Sequence, residues 1–252
     1  MAFEKAKESY DKLKDGSESL DSLFSSVRER ISKHYHLPEG TAVFIMPSGS
    51  DAEYIPVLVA KALNEGKKIT NIVTCNEEVG SGTLAAANGQ FFSPVEPIPG
   101  HTDAPKKNGD DLAGLAEGVK AIPINAREAS GDVVNSNSKL DELLAQIEKD
   151  GAVPIIHTVF GSKTGICEKF PKEQVEKVKS LNGLFVLDAC QARFREHVIQ
   201  DALQYDCCVL ITGSKFFRGP PFSGAVLIPK HIVDKAKSTK TSLPHGLHTF
   251  IG

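Results

Sequence analysis

Short, continuous apolar runs, rather than alternating ones, recur along the middle and C-terminal parts of the chain: 42–46, 68–75, 121–125, 153–160, 184–187, 207–212 and 225–228. Each has the length of a strand buried on both faces. Between them the apolar period changes to three and four. Leu20, Leu23, Phe24, Val27 and Ile31 predict an amphipathic helix ending near His34, after a charged, weakly helical segment from Phe3 to Lys14. Further helices are predicted over 51–63, with Ile55, Leu58, Val59 and Ala62 on one face and Pro56 near the start, and over 80–88, which is rich in small residues. Others are predicted over 138–149, capped by Ser138 and carrying Leu140, Leu143, Leu144 and Ile147, over 172–181, and near 196–203. Strands alternating with helices predict an α/β fold of three layers, α/β/α, around a mostly parallel seven-stranded sheet that would bind ligands at the carboxyl ends of its strands. The sharpest break, Pro38-Glu39-Gly40, divides an N-terminal helical arm, 1–40, from a large domain, 41–252. The apolar stripe of the arm reads equally as a surface for a neighbour and as ordinary core. The proline-rich stretch 91–119 is expected to be a long surface loop.

Composition narrows the function classes. Acids and bases are interspersed, the formal net charge is −3, and no basic block marks a nucleic-acid footprint. The five cysteines include no C-x-x-C pair and three of them lie inside apolar runs, so they read as reduced thiols of an intracellular protein. Residues 1–14 resemble neither a secretory signal nor an acid-poor transit peptide, and no run approaches the ~18 apolar residues of a membrane span. The expected setting is cytoplasmic, without nucleic-acid or membrane partners.

Four polar corners at predicted strand ends carry the candidate chemistry. Lys215 follows the run 207–212 within Thr212-Gly213-Ser214-Lys215; desolvating a lysine costs several kcal/mol, so it either caps an exposed strand end or does chemistry. Asp188 ends another strand in Asp188-Ala189-Cys190-Gln191. The turn Ser48-Gly49-Ser50-Asp51 opens a helix, offering free N–H groups and a partial positive charge to an anion, although such turns also cap helices that bind nothing. The fourth corner is Ser162-Lys163-Thr164-Gly165. His157 reads as a strand histidine with a local hydrogen bond, Cys190 and the Cys207-Cys208 pair read as core residues, and nothing points to a bound metal.

In chain order, 48–51, then 162–165, then 188–191, then 212–215, the four corners resemble the fold-type I pyridoxal phosphate enzymes, and within them the class V aminotransferase and cysteine desulfurase branch. The similarity covers roughly residues 41–230. It implies pyridoxal 5'-phosphate as cofactor, one antiparallel strand at 224–229, and a homodimer acting on a small amino-acid substrate. Lys215 matches the Schiff-base lysine. Asp188 matches the acid that pairs with the pyridine nitrogen, and Gln191, with Ser162 nearby, matches the group on the phenolic oxygen. Gly49, Ser50 and Asp51 match the phosphate turn, and Thr212 and Ser214 match phosphate ligands. Ser214 stands where desulfurases have histidine, and the corner Glu77-Glu78-Val79 lacks the usual stacking histidine or aromatic residue, leaving Val79 to cover the ring. Only 37 residues follow Lys215, so the small domain such enzymes carry there is absent from this sequence. A fragment, an incomplete gene model or a degenerate homologue each accounts for that. Arg193, Arg195 and Arg218 are the candidates for a substrate carboxylate, each also readable as structural. The resemblance implies a transferase of the aminotransferase type, with a lyase or a truncated, non-catalytic protein as alternatives.

Overall fold

The computed structural model describes residues 2–94 and 107–239, together with Ser242, Pro244 and Leu247. Part of the loop expected at 91–119 therefore lies outside the described residues. The strands are β1 (Ala42–Met46), β2 (Ile69–Val73), β3 (Val119–Pro123), β4 (Val153–Val159), β5 (Leu184–Asp188), β6 (Cys207–Thr212) and β7 (Gly224–Ile228). They form one sheet in the order β1-β7-β6-β5-β4-β2-β3. β7 runs antiparallel to both neighbours, and the other pairs are parallel. Both the seven strands and the single reversed one match the expectation.

Strands β4 to β7 are buried at every position, which explains their predominantly apolar character: helices cover both faces. One face carries Ile156, Phe185, Leu187, Val209 and Ile211 against Leu140 and Leu144 of α6 (Ser136–Lys149), Val178 of α7 (Val175–Ser180) and Ile199 of α8 (Glu196–Gln204). The opposite face carries Val153, Ile155, Leu184, Val186, Cys208 and Leu210 against Ile55 and Val59 of α4 (Tyr54–Leu63) and Ile232 of α9 (Lys230–Lys237). By the two-residue period of a strand, His157 and Asp188 belong to this second face, at its carboxyl end.

The arm forms α1 (Ala2–Asp15) and α2 (Leu20–His34), the latter capped by Ser19, whose hydroxyl accepts from Ser22 N–H. α2 buries no residue fully. It rests along edge strand β1, where Arg28 Nε donates to Val43 O at 3.2 Å and Ile31 packs against the core.

Three local expectations are corrected. The helix expected over 51–63 is two pieces, α3 (Gly49–Ala52) and α4, joined at Glu53, because Pro56 has no N–H for the carbonyl of Ala52. The cap of α6 is Asn135, whose Oδ1 accepts from Asn137 N–H, and not Ser138. α9 was not expected. It buries only Ile232 fully and has no side-chain cap. Among the described residues no helix is long and apolar enough to cross a membrane.

Candidate functional site

All four polar corners meet at the carboxyl end of the sheet, around a cavity of about 310 Å³. From β1 the chain turns at Ser48 into α3. Ser48 Oγ accepts from Asp51 N–H at 3.2 Å and donates to Asp51 Oδ2 at 2.5 Å, which draws the Asp51 carboxylate inward. Gly49 and Ser50 line the cavity and Asp51 does not; Asp51 shapes the turn instead of presenting its side chain. Its carboxyl is raised above the ordinary range by burial, partly opposed by the Ser48 bond. Gly49 is required by space: a Cβ there would sit 2.7 Å from Cys190 Sγ.

β5 ends on Asp188, which is buried, lines the cavity and accepts Cys190 N–H at 2.8 Å. Gln191 and Cys190 line the same wall. Cys190, read from the sequence as core, is thus a wall residue, and burial holds its thiol well above the usual range, so it stays protonated. From β6, Thr212 Oγ1 accepts Ser214 N–H at 3.0 Å and lies 2.7 Å from Ser214 Oγ, placing two hydroxyls side by side. Lys215 is exposed at the rim of the cavity it lines. Its loop is closed at the base, where Gly213 N–H donates to Ser223 O and Gly219 N–H to Gly213 O, each at 2.8 Å.

Ser162 is fully buried on the wall after β4, held by Glu78, a residue that sequence reasoning did not single out. Glu78 ends a tight turn after β2. It accepts from Ser162 Oγ at 2.7 Å, Thr164 N–H at 2.7 Å and Thr164 Oγ1 at 2.6 Å, with Arg127 Nε at 3.8 Å. Burial pushes its carboxyl up, but the bonds from Thr164 and Ser162 and the Arg127 charge outweigh this and hold it below the ordinary range. No sequence signal marks it, because its hydrogen-bond partners lie more than eighty positions downstream. Val79 lies on the same wall, where it was expected to cover a ring.

Arg193, Arg195 and Arg218 do not line the cavity. Arg193 donates to the carbonyls of Ser162 and Lys163 and stacks over Phe216, a structural role. Behind Asp188, His157 makes no local bond. Its Nε2 meets Glu53 Oε1 at 2.7 Å, and both side chains are buried.

The residues present fit a planar ring carrying a phosphate monoester. A carboxylate stands at the closed end, an amine at the rim, and a helix-opening turn faces two paired hydroxyls, with free N–H groups expected at its first positions.

No protein-family model matches the chain, and no curated protein is similar to it in sequence. Solved structures resemble it in fold. The glutamate decarboxylase domain of a diaminobutyrate-pyruvate transaminase and L-2,4-diaminobutyrate decarboxylase from Vibrio parahaemolyticus superimposes with a TM-score of 0.55 at 13% identity, covering 89% of this chain and 46% of that one. An Oryza sativa TDC with PLP gives 0.57 at 12%, covering 89% and 46%. The histidinol-phosphate aminotransferase from Clostridium acetobutylicum gives 0.50 at 11%, covering 90% and 57%. The chain spans about half the length of the solved structures it matches. Its fold, a mostly parallel seven-stranded sheet between helical layers, matches the fold of these solved structures.

Proposed function

We propose that residues 41–252 form the cofactor-binding domain of a pyridoxal 5'-phosphate-dependent enzyme acting on an amino acid, most simply an aminotransferase of the class V type. The observation that carries this reading is the convergence of Gly49, Ser50, Ser162, Asp188, Gln191, Lys215 and the paired hydroxyls of Thr212 and Ser214 on one cavity, from four separate strand ends. When bound, the cofactor supplies an electron sink for a bond broken at the substrate's α-carbon. The chain's own groups divide the remaining tasks. Lys215 is the covalent attachment point and, once free, the base that takes and returns the α-proton. Asp188 keeps a proton on the ring nitrogen. Gly49, Ser50, Asp51, Thr212 and Ser214 form the phosphate end, with Asp51 contributing through the turn it closes with Ser48. Gln191 and Ser162 serve the phenolic oxygen, and Val79 packs on the ring.

A lyase is the second reading. Among the described lining residues there is no arginine, and Glu78 places a fixed negative charge on the wall. The cations on the lining are Lys215 and Lys163, and the Lys163 Nζ already donates to Glu77 O at 3.3 Å; a substrate carboxylate held only by that shared ammonium beside Glu78 is held weakly, which suits its loss as carbon dioxide. The reading extends to a cytoplasmic homodimer. Phe216, Phe217 and Phe222 beside the cavity are 67%, 53% and 80% exposed, apolar surface that a second copy would cover.

The test is incubation with pyridoxal 5'-phosphate, borohydride reduction and peptide mass spectrometry on wild type and Lys215→Ala. Label confined to the Lys215 peptide, and lost in the variant, is expected. Label spread equally over surface lysines in both proteins would refute the reading. Product analysis with amino acids then separates keto acid from carbon dioxide.

A further inference from the structure

The cavity accounts for Asp188 but leaves unexplained the two ionisable groups behind it. Glu53, at the junction of α3 and α4, and His157, in the middle of β4, are 2% and 0% exposed. A buried ion pair costs several kcal/mol of desolvation per ion, and apolar residues of similar volume are often as stable, so this pair is weak evidence for stability. The pair is also incompletely satisfied: Glu53 Oε2 and His157 Nδ1 are buried without hydrogen-bond partners. One ligand-capable atom from each of Glu53, His157 and Asp188 falls within 4.8 Å of the other two. The register explains this. Val159 pairs with Asp188, so His157, two residues earlier on the same face, is its diagonal neighbour, and Glu53 closes the group from the covering helix layer.

We propose that Glu53 is a positioning residue of this site: through His157 it fixes the charge and orientation of Asp188, the three groups acting as one charge unit behind the cavity. The proposal rests on the cofactor reading above. The charges facing His157 come from every element around it: Glu53 from the helix junction, Asp188 from β5, and Glu168 from the loop after β4. Glu168 is already held by Val159 N–H, Ser136 and Thr74. Burial alone would pull the imidazole down; the Glu53 charge and bond, with Asp188 and Glu168 adding to them, outweigh it and raise His157 to about 9. Burial also raises the Glu53 carboxyl, against the pull of the His157 charge and bond; whichever of the two holds the shared proton, the group with Asp188 keeps one net negative charge, which is what a protonated ring nitrogen needs opposite it.

The experiment is an imidazole nitrogen NMR titration of His157 in the protein without cofactor, paired with a pH titration of the visible absorbance of the cofactor-loaded protein. In wild type, His157 should remain doubly protonated until about pH 9. In Glu53→Gln, which keeps the shape and removes the charge, burial prevails and the midpoint falls by more than a unit, about tenfold in proton affinity. In Asp188→Asn the midpoint also falls, by less. Glu53→Gln should further move the pH midpoint of the bound cofactor's band, which a merely structural residue would not do. An unmoved His157 midpoint in Asp188→Asn, or an unmoved cofactor midpoint in Glu53→Gln, overturns the proposal. If Glu53→Gln does not fold, Asp188→Asn decides. A wild-type protein that binds no cofactor refutes the function proposed above, while the response of His157 to Asp188→Asn still decides the coupling.

Discussion

Truncating Glu78 tests how the wall of the cavity is held. Its carboxylate accepts two hydroxyl bonds and one backbone bond, and a charge-assisted bond contributes about 1.5–3 kcal/mol. Thr164 is exposed, so in Glu78→Ala both its donors return to water at little cost. Ser162 is buried, and its hydroxyl, which also accepts Ile166 N–H at 2.9 Å, loses its acceptor. The expected loss is therefore dominated by one buried bond and the ordering of the turn, about 2–4 kcal/mol. Glu78→Gln retains one acceptor oxygen and should cost about 1–2 kcal/mol. Urea unfolding at neutral pH measures both. The acid limb supplies an internal control. The native carboxyl of Glu78 is held below its unfolded value of about 4.3, so its contribution is complete above that value and lost as pH falls through the native midpoint. The gap between wild type and Glu78→Gln should shrink over that window. A Glu78→Ala protein within about 0.5 kcal/mol of wild type at neutral pH would refute the argument.

Gly49→Ala places a methyl 2.7 Å from Cys190 Sγ and should cost about 1–3 kcal/mol by overpacking; combining it with Cys190→Ala should recover part of that, measurable as a coupling energy in a double-mutant cycle. Gly219→Ala brings a Cβ to 2.8 Å from Gly213 O, so it should shift the Lys215 loop and weaken cofactor capture several-fold in equilibrium binding, with thermal stability nearly unchanged because the loop is largely exposed. Ile156→Ala, in fully buried β4, should cost about 2–5 kcal/mol in denaturant unfolding and leave the cavity residues in place.

Local pattern made the strands legible, since a strand buried on both faces is predominantly apolar, and β4 to β6 are, with His157 and Thr158 in β4 and the terminal Asp188 and Thr212 as the polar exceptions. The corners at their ends were legible for the same reason, because polar residues abruptly follow runs that tolerate few. What the pattern does not carry is pairing. Nothing in the run 42–46 says that it lies beside β7, the last strand in the sequence. Glu53 and His157 are 104 positions apart, and each alone reads as an ordinary helix acid or strand histidine. The break at Glu53 was concealed because Pro56 is tolerated in a first helical turn, and only the structure shows that the turn before it is a separate piece. Asp51 is recognisable as part of the turn, but whether its carboxylate faces the cavity or Ser48 depends on packing of the surrounding side chains.

The reversed strand explains how so exposed a lysine can be placed at all. A parallel connection from β6 would need a crossover of a dozen or more residues, normally through a helix, and would carry Lys215 away from the strand end. Because β7 returns antiparallel, with Thr212 opposite Gly224, residues 213–223 form a closed excursion that begins and ends at the cavity. The bonds from Gly213 to Ser223 and from Gly219 to Gly213 tie that excursion at its base, so the backbone at Lys215 is fixed while the side chain remains free to move. Asp188 is the opposite case: it is buried, bonded to Cys190 N–H, and has Glu53 and His157 behind it. A mobile amine on a tethered loop faces an immobile carboxylate on a central strand, a division that suits proton transfer at one end of a cavity and charge stabilisation at the other.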